Sequence, residues 1–503
     1  MNLIVLPFLI PVLTALICCI FFGLPTVKRR IMIVVSSVVQ LGLALYLTSR
    51  ALSSELPLVQ NLGDWSSMLG IVLVVDGLAG IMLCLSTFVS LMCILFSYAE
   101  VSAEQEQPLR LPLMQLLVAG INLSFITGDL FNLFVAFEIM LVASYALLTL
   151  EANNRHIKEA FPYLSVNLVG SALFLITAGV AYAVFGTLNF AHMSERAAEL
   201  GTTFPVRLVA ILLMVVFGIK AGVFPLYYWL PNSYPILSLS LGAFYSGLLT
   251  KVGIYVMLRM LGTVFPHDLD AIYLLLAWLA GLTMVLAVLG AVSRNFIRGI
   301  LSFHIVSQIG YMILAIGLFT PLSIAACIFY VIHHIVVKSS LFLVGGAAMF
   351  YNHTDHLKRM GGLWKASPLL GICFLCQAFS LAGVPPLSGF WGKYLIILVG
   401  LDEGRYWLVM AAIVASILTV VSMLKIWLGA FWKDAPPDEP LEPVCARIRA
   451  MTAIIAVFTL VSLGIGFGAE GVMRISRNAG DSLLNQENYR QAVFLYQGKG
   501  GTP

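Results

Sequence analysis

The strongest constraint in this chain is a succession of apolar runs, each long enough to cross a lipid bilayer. A spanning helix needs about 20 apolar residues. Such runs fall near 3–23, 30–50, 71–98, 111–127, 130–149, 159–186, 206–230, 235–262, 270–291, 296–318, 321–349, 367–400, 405–432 and 448–472. They predict an all-α, polytopic membrane protein of about 14 transmembrane helices joined by short connections. Composition agrees: 10% of the 503 residues are charged and 60% are hydrophobic, whereas soluble domains carry roughly 25% charged residues. The formal charge of +4 is small and says little, because placement matters more than the sum; no nucleic acid is expected as a partner. The first run has no basic flank and no A-x-A site, so it is expected to stay as a helix instead of serving as a signal peptide. The polar tail, Met473 to Pro503, is expected outside the bilayer.

Two of these runs are interrupted in the same way. FGIKAGVFPLYYWLPNSYP (Phe217–Pro235) and LAGVPPLSGFWGKYL (Leu381–Leu395) share A-G-V-x-P-L, with Lys220 just before the first copy and Lys393 just after the second. Proline removes a backbone donor and glycine loosens the helix, so each segment should be a helix broken part way. Paired broken helices in a membrane chain point to an ion path built from internal repeats. The copies imply that helices 4–8 repeat as helices 9–13, and an odd number of spans per unit makes the second unit inverted. The expected organisation is 1–110, three N-terminal helices; 111–262, the first five-helix repeat; 263–432, the second; 433–472, a loop and the last helix; and 473–503, the tail.

Basic residues favour one set of loops. Odd-numbered loops hold fourteen lysines and arginines, among them Lys28, Arg110, Arg155, Arg294, Lys358 and Arg449; even-numbered loops hold five, Arg50, Arg196, Arg207, Arg259 and Arg405. The positive-inside rule then puts the odd loops in the cytoplasm and both termini outside.

Five lysines fall within predicted spans: Lys220, Lys251, Lys338, Lys393 and Lys425. Each costs roughly 2.5–3.5 kcal/mol at a helix centre. Snorkelling to the interface explains Lys425, near a helix end, better than the others. The only carboxylate expected to be well buried is Glu138; Asp129 reads as a helix cap and Asp76 as an interfacial residue. One glutamate cannot neutralise so many amines, so they need internal water or must exist part of the time uncharged. An amine of that kind carries protons.

Helical spacing arranges further polar groups into stripes. His304, Ser307, Gln308 and Tyr311 follow i, i+3, i+4, i+7 on the tenth helix; Tyr330, His334 and Lys338 follow i, i+4, i+8 on the eleventh; Lys251 and Tyr255 share a face of the eighth. Histidine titrates near neutral pH, which suits a relay; a packing role is the alternative, and for His333, on a neighbouring face, the two stay open. His353 and His356 read as a solvated loop cluster. Cys373 and Cys376 lie within one predicted helix and read as packing residues, with no second cysteine pair to complete a metal site. There is no P-loop, dinucleotide fingerprint or nucleophile elbow, so no cofactor, metal or hydrolytic chemistry is expected.

The motifs LFNLFVAFEIMLVASYALL around Glu138, FGIKAGVFPLYYWLPNSYP around Lys220, LLTKVGIYVMLRM around Lys251, HHIVVKSSLFLVGG around His334 and Lys338, and LAGVPPLSGFWGKY around Lys393 carry a resemblance. Together they resemble the antiporter-like subunit family shared by respiratory complex I, membrane-bound hydrogenases and Mrp-type cation/proton antiporters. The Mrp branch fits best, because lysine stands on the twelfth helix where one complex I subunit has glutamate. The resemblance implies that Glu138 pairs with Lys220 and tunes its proton affinity. It implies that Lys251, His304, His334 and Lys338 carry a central axis, and that Lys393 gates exchange with the opposite side. It also implies membrane subunits as partners, with H+ and Na+ as cargo. Gln308 departs from relatives that carry histidine there, so a relay at that level must use His304 or water. A proton-pumping subunit of a quinone oxidoreductase or hydrogenase complex, and a non-transporting scaffold, remain as alternative readings.

Overall fold

A computed structural model describes residues 3–65, 67, 70–150, 154–436 and 445–500. The side chain of Arg155, one of the counted loop arginines, lies outside the described residues. The chain opens with α1 (Leu6–Ile20) and α2 (Thr26–Ser53), an antiparallel hairpin of β1 (Leu58–Asn61) and β2 (Val72–Val75), and α3 (Gly77–Glu100). The first repeat comprises α4 (Arg110–Ile126), α5 (Leu130–Leu150), α6 (Asn154–Phe185), a short α7 (Phe190–Leu200), α8 (Phe204–Ala221), α9 (Trp229–Ser233) and α10 (Leu239–Arg259). The second comprises α11 (Asp270–Ser293), α12 (Ile297–Leu318), α13 (Pro321–Asn352), the single turn α14 (Leu363–Ala366), α15 (Pro368–Ala382), α16 (Ser388–Asp402) and α17 (Tyr406–Ile426). It is followed by α18 (Ala446–Phe467), α19 (Ala469–Leu484) and α20 (Gln486–Gly500). Among the described residues, 11 helices are long and apolar enough to cross a membrane, and α1, α4 and α15 are shorter apolar helices. The fold is a multi-pass, all-α membrane protein carrying one small β-hairpin.

The repeat is visible in how the helices pack. α4 packs on α5, α5 on α6, α6 on α8 and α8 on α10, and the same ladder runs α11, α12, α13, α15, α17. Five spans reverse the direction of the chain, so the second unit is inverted against the first. Both breaks are built from the same hydrogen bonds. Val223 N–H donates to Gly218 O (2.9 Å) and Gly222 N–H to Ile219 O (3.3 Å); Val384 N–H donates to Phe379 O (3.0 Å) and Gly383 N–H to Ser380 O (3.1 Å). This double closure is the Schellman arrangement, which requires a left-handed residue. Gly222 (φ 80°) and Gly383 (φ 92°) supply it.

Helix tilt and closeness depend on small residues at the crossings. At Gly120 a Cβ would lie 2.6 Å from Met140 N and 2.9 Å from Ala136 O, both backbone atoms that cannot turn aside. Gly120→Ala is therefore expected to force α4 from α5 and lower stability by about 1–3 kcal/mol, read as a fall in the thermal midpoint in detergent.

The helices sort by environment. The apolar windows of α10 and α13 are 100% buried, whereas that of α2 is 33% buried. The lysine- and histidine-bearing helices therefore form the centre, and the more uniformly apolar ones face outward, as expected when polar residues must avoid lipid. Odd-numbered loops share one face: Arg298 donates to Leu237 O (3.0 Å) and pairs with Asp355, and Glu100 accepts from Leu239 N (2.6 Å) at the start of α10. Even-numbered loops share the other, where β2 meets Thr127, Asp129 meets Asn189 and Ser67 meets His192.

The tail folds into helices: α19 packs across α13 and α3 on the even-loop face, and α20 packs on α7. The structure corrects two expectations. Arg259 is not a loop residue; it is buried beside Asp76, which caps the start of α3 and is buried as well. Glu138 is only half-buried, while Asp76 and Glu106 are the deeply buried carboxylates, each held by arginine. Asp129 caps α5 as expected, accepting from Asn132 N at 2.8 Å.

Candidate functional site

The centre of the molecule is the contact between α10 and α13, flanked by α12. The helices meet so closely that a Cβ on Gly247 would lie 2.1 Å from Ser339 Oγ. Lys251, Lys338, His304, His333 and His334 each have 0% relative exposure. Lys251 Nζ donates to Ser246 O (2.5 Å) on its own helix. Lys338 Nζ, both ring nitrogens of His334, Thr250 Oγ1, Ser339 Oγ and Ser340 Oγ are buried with no protein partner. Buried polar groups are nearly always hydrogen-bonded, to water where not to protein. Lys338, Ser339 and Ser340 are consecutive on α13, and Thr250 adjoins Lys251 on α10. Lys251 acts electrostatically on Lys338, and His334 is within reach of Lys251, Lys338, His333 and Lys393.

At the first break Lys220 sits at the C-terminal turn of α8, where free carbonyls favour a cation. Its Nζ donates to Asn167 O (3.1 Å) and Ser171 Oγ (3.2 Å) on α6. Gly170 packs beside it: a Cβ there would lie 3.4 Å from Lys220 Cε, in ordinary contact. Glu138 is close enough to act on Lys220 through space. No ion pair within 4.0 Å joins them among the described residues, and Glu138 Oε1 has no hydrogen-bond partner. Their interaction is therefore electrostatic and not a direct hydrogen bond.

The second break places its lysine differently. Lys393 lies on α16, but its Nζ folds back onto the open end of α15, donating to Leu381 O (2.9 Å) and Ala382 O (3.2 Å), and to Ser416 Oγ (3.2 Å) on α17. The last carbonyls of a helix lack intrahelical donors, so the amine satisfies them across the break. Tyr311 lies beneath it, ring centroid 4.6 Å from Nζ, with its hydroxyl 2.8 Å from Ser416 Oγ.

The tenth-helix stripe does not act as one face. His304 Nε2 meets Ser422 Oγ (2.6 Å) on α17, Ser307 donates to Met284 O (3.1 Å) on α11, and Gln308 Oε1 accepts from Tyr330 OH on α13. Because α12 is enclosed by other helices, each side of it has its own polar partner. Lys425 leaves the axis altogether, its Nζ donating to Val292 O (3.0 Å) and Arg294 O (2.5 Å) at the end of α11. His356 accepts from Lys358 N (3.3 Å) and caps a short turn.

Two side-chain arrangements go beyond the sequence reading. His333 Nδ1 meets Ser388 Oγ (2.8 Å), the first residue of α16, so it belongs to the second break. Arg259 donates to both carboxylate oxygens of Asp76 (2.6 and 2.8 Å) and to Tyr255 OH (3.1 Å). Arg259 follows Lys251 and Tyr255 at i+8 and i+4, so the spacing that paired the first two extends to it; counting it as a loop residue hid the signal.

Two inverted bundles, each with a helix broken beside a lysine and joined by a buried lysine–histidine core, define a membrane transporter module of the antiporter-like class. Comparison with known proteins narrows this. The family model "NADH:quinone oxidoreductase/Mrp antiporter, TM" matches residues 127–419. The D-type Na(+)/H(+) antiporter subunit of Alkalihalophilus pseudofirmus is 39% identical, covering 98% of this chain and 99% of its own length; that of Bacillus subtilis is 36% identical at the same coverage. A chain of the Mrp complex from Dietzia sp. superposes with a TM-score of 0.91 at 31% identity over 98% of this chain and 100% of that one. A chain of respiratory complex I from Thermus thermophilus has the same fold, with a TM-score of 0.80 at 22% identity, covering 96% of this chain and 100% of that one. The chain belongs to the NADH:quinone oxidoreductase/Mrp antiporter transmembrane family, alongside the D-type components of Mrp antiporters. The D-type relatives are antiporter subunits, transporters rather than enzymes.

Proposed function

We propose that this chain is the proton-translocating subunit of a multisubunit monovalent cation (Na+)/proton antiporter. Protons would move along Lys220, Lys251, His334, Lys338 and Lys393, with His304 at the flank and Glu138 biasing Lys220. The observation that carries this is the enclosed group of unpartnered atoms on Lys338, His334, Thr250, Ser339 and Ser340. A scaffold has no use for buried, unpaired amines, which only raise its energy. Water threaded through these groups gives a protonation path from one break to the other. Residues 111–262 and 263–432 serve as its two halves. The charge bias puts the odd-loop face in the cytoplasm and both termini outside. Other membrane subunits supply the remainder of the complex and the sodium route. A pump driven by quinone chemistry is less well supported, since likeness to the D-type antiporter components reaches 39% identity and to the complex I chain 22%.

The test is sodium- and proton-coupled transport in vesicles holding the whole complex. Lys220→Ala is expected to abolish exchange while the complex assembles normally. Exchange that continues at the parent rate would remove Lys220 from the path.

A further inference from the structure

The second break has two polar sides, and only one belongs to Lys393. On the other, Ser388 Oγ meets His333 Nδ1 (2.8 Å), Ser380 Oγ (2.8 Å) and Ser462 Oγ (3.4 Å), joining α13, α15, α16 and α18 at one point. His333, Ser380 and Ser388 have 0% exposure and Ser462 4%, yet His333 Nε2 has no partner. The cluster is tightly enclosed: a Cβ on Gly389 would lie 1.9 Å from Ser380 O and 2.9 Å from His333 Nε2.

One helical turn nearer the even-loop face, three of the same helices present Phe329 (four before His333), Trp391 (three after Ser388) and Gly466 (four after Ser462). These form the floor of a cavity of about 650 Å³, whose rim on α19 carries Glu470, Arg474 and Arg477. Both arginines are exposed, and neither forms an ion pair within 4.0 Å among the described residues. Trp391 Nε1–H donates to Gly466 O (3.1 Å) and closes the floor. A cavity with a charged rim thus ends one turn short of a buried serine–histidine cluster, with Phe329 and Trp391 in its floor.

We propose that this is the portal through which the axis exchanges protons with the even-loop side, and that Trp391 gates it and His333 hands the proton on. The inference rests on the proton-path reading above and names an exit that avoids the α17 side of Lys393. The transfer balances at His333. The ring takes a proton on one nitrogen and releases the proton held by the other, returning to neutral with the tautomer exchanged. The serine hydroxyls accept one proton and donate another by rotating. His334, the next residue, lies within electrostatic reach of His333 and Lys393.

The test is chemical access in the whole complex, in vesicles of known orientation. Ser462→Cys is exposed to a membrane-impermeant methanethiosulfonate, and modification is read from the mass of the peptide carrying residue 462, so the native cysteines do not interfere. Modification is expected from the even-loop side alone. Trp391→Phe, which keeps the ring but loses the donor, should raise its rate about fivefold, the equivalent of one neutral hydrogen bond. Ser380→Cys is a second reporter should the first fail to assemble. Modification from the odd-loop side, or none from the even-loop side in either Trp391 background, overturns the portal. Access does not depend on exchange, so a portal that fails here leaves the Lys220 experiment standing, and the reverse holds as well.

Discussion

Replacing Arg259 by alanine is expected to lower stability by about 3–5 kcal/mol, the range for removing one partner of a buried ion pair. The pair is bidentate, and the side chains are 4% and 2% exposed. Asp76 does two things there: its Oδ1 caps α3 by accepting from Ala79 N (2.9 Å), and both oxygens bind the guanidinium. Alanine would leave that carboxylate charged, enclosed and half-solvated. The loss would spread, because Arg259 also holds Tyr255, whose hydroxyl donates to Phe125 O (2.6 Å), and lies 5.7 Å from the ring of Tyr489 on α20. One side chain therefore ties α3, α4, α10 and the C-terminal helices together at the even-loop end. Thermal unfolding in detergent measures the effect. Arg259→Lys separates charge from geometry: it keeps the cation and forfeits the fork, so it should recover part of the loss and not all of it. Equal midpoints for parent and alanine variant would show that the pair contributes nothing to stability.

The breaks were legible in the sequence because proline and glycine act on their own backbone. A-G-V-x-P-L forces the same turn wherever it occurs, and the two copies share their hydrogen bonds to within a few tenths of an ångström. The side-chain partners were much less so. Periodicity kept Tyr330, His334 and Lys338 together and set His333 aside, a sound rule for a helix with one buried face. α13 has no other kind of face: it packs on α10, α12, α15, α16, α18 and α19, so each stripe finds its own neighbour. The same enclosure divides His304, Ser307 and Gln308 among three helices. The distance between Lys220 and Glu138 depends on how α5, α6 and α8 lean on one another, which no local spacing encodes. β2 was absorbed into the apolar run that begins α3, although Asp76-Gly77 marks the helix start. α19 escaped notice because the face it buries is Ala469, Ser476, Ala479, Gly480 and Leu483, small residues that pack closely without reading as hydrophobic.

Lys338→Met should abolish exchange and at the same time make the protein more stable. An intramembrane lysine costs roughly 2.5–3.5 kcal/mol on insertion scales. Lys338 is enclosed, its Nζ has no hydrogen-bond partner, and the nearest stabilising contact is the Phe342 ring at 5.9 Å. Lys251 lies within electrostatic reach and repels it whenever both are charged. Methionine fills a similar volume, brings no charge and leaves no polar atom to satisfy, so the thermal midpoint should rise. A residue whose removal stabilises the fold is retained for what it does. For that reason the opposite signs matter more than either result alone. A structural lysine would lose stability and activity together, as Arg259→Ala is expected to. Lys425→Met provides the control: it removes the amine that satisfies Val292 O and Arg294 O at the end of α11, so its cost should be about 1 kcal/mol for the lost contacts, with exchange retained. If Lys338→Met melted lower than the parent and still exchanged protons for sodium, the centre of this molecule would be a packing device, and the path would have to run elsewhere.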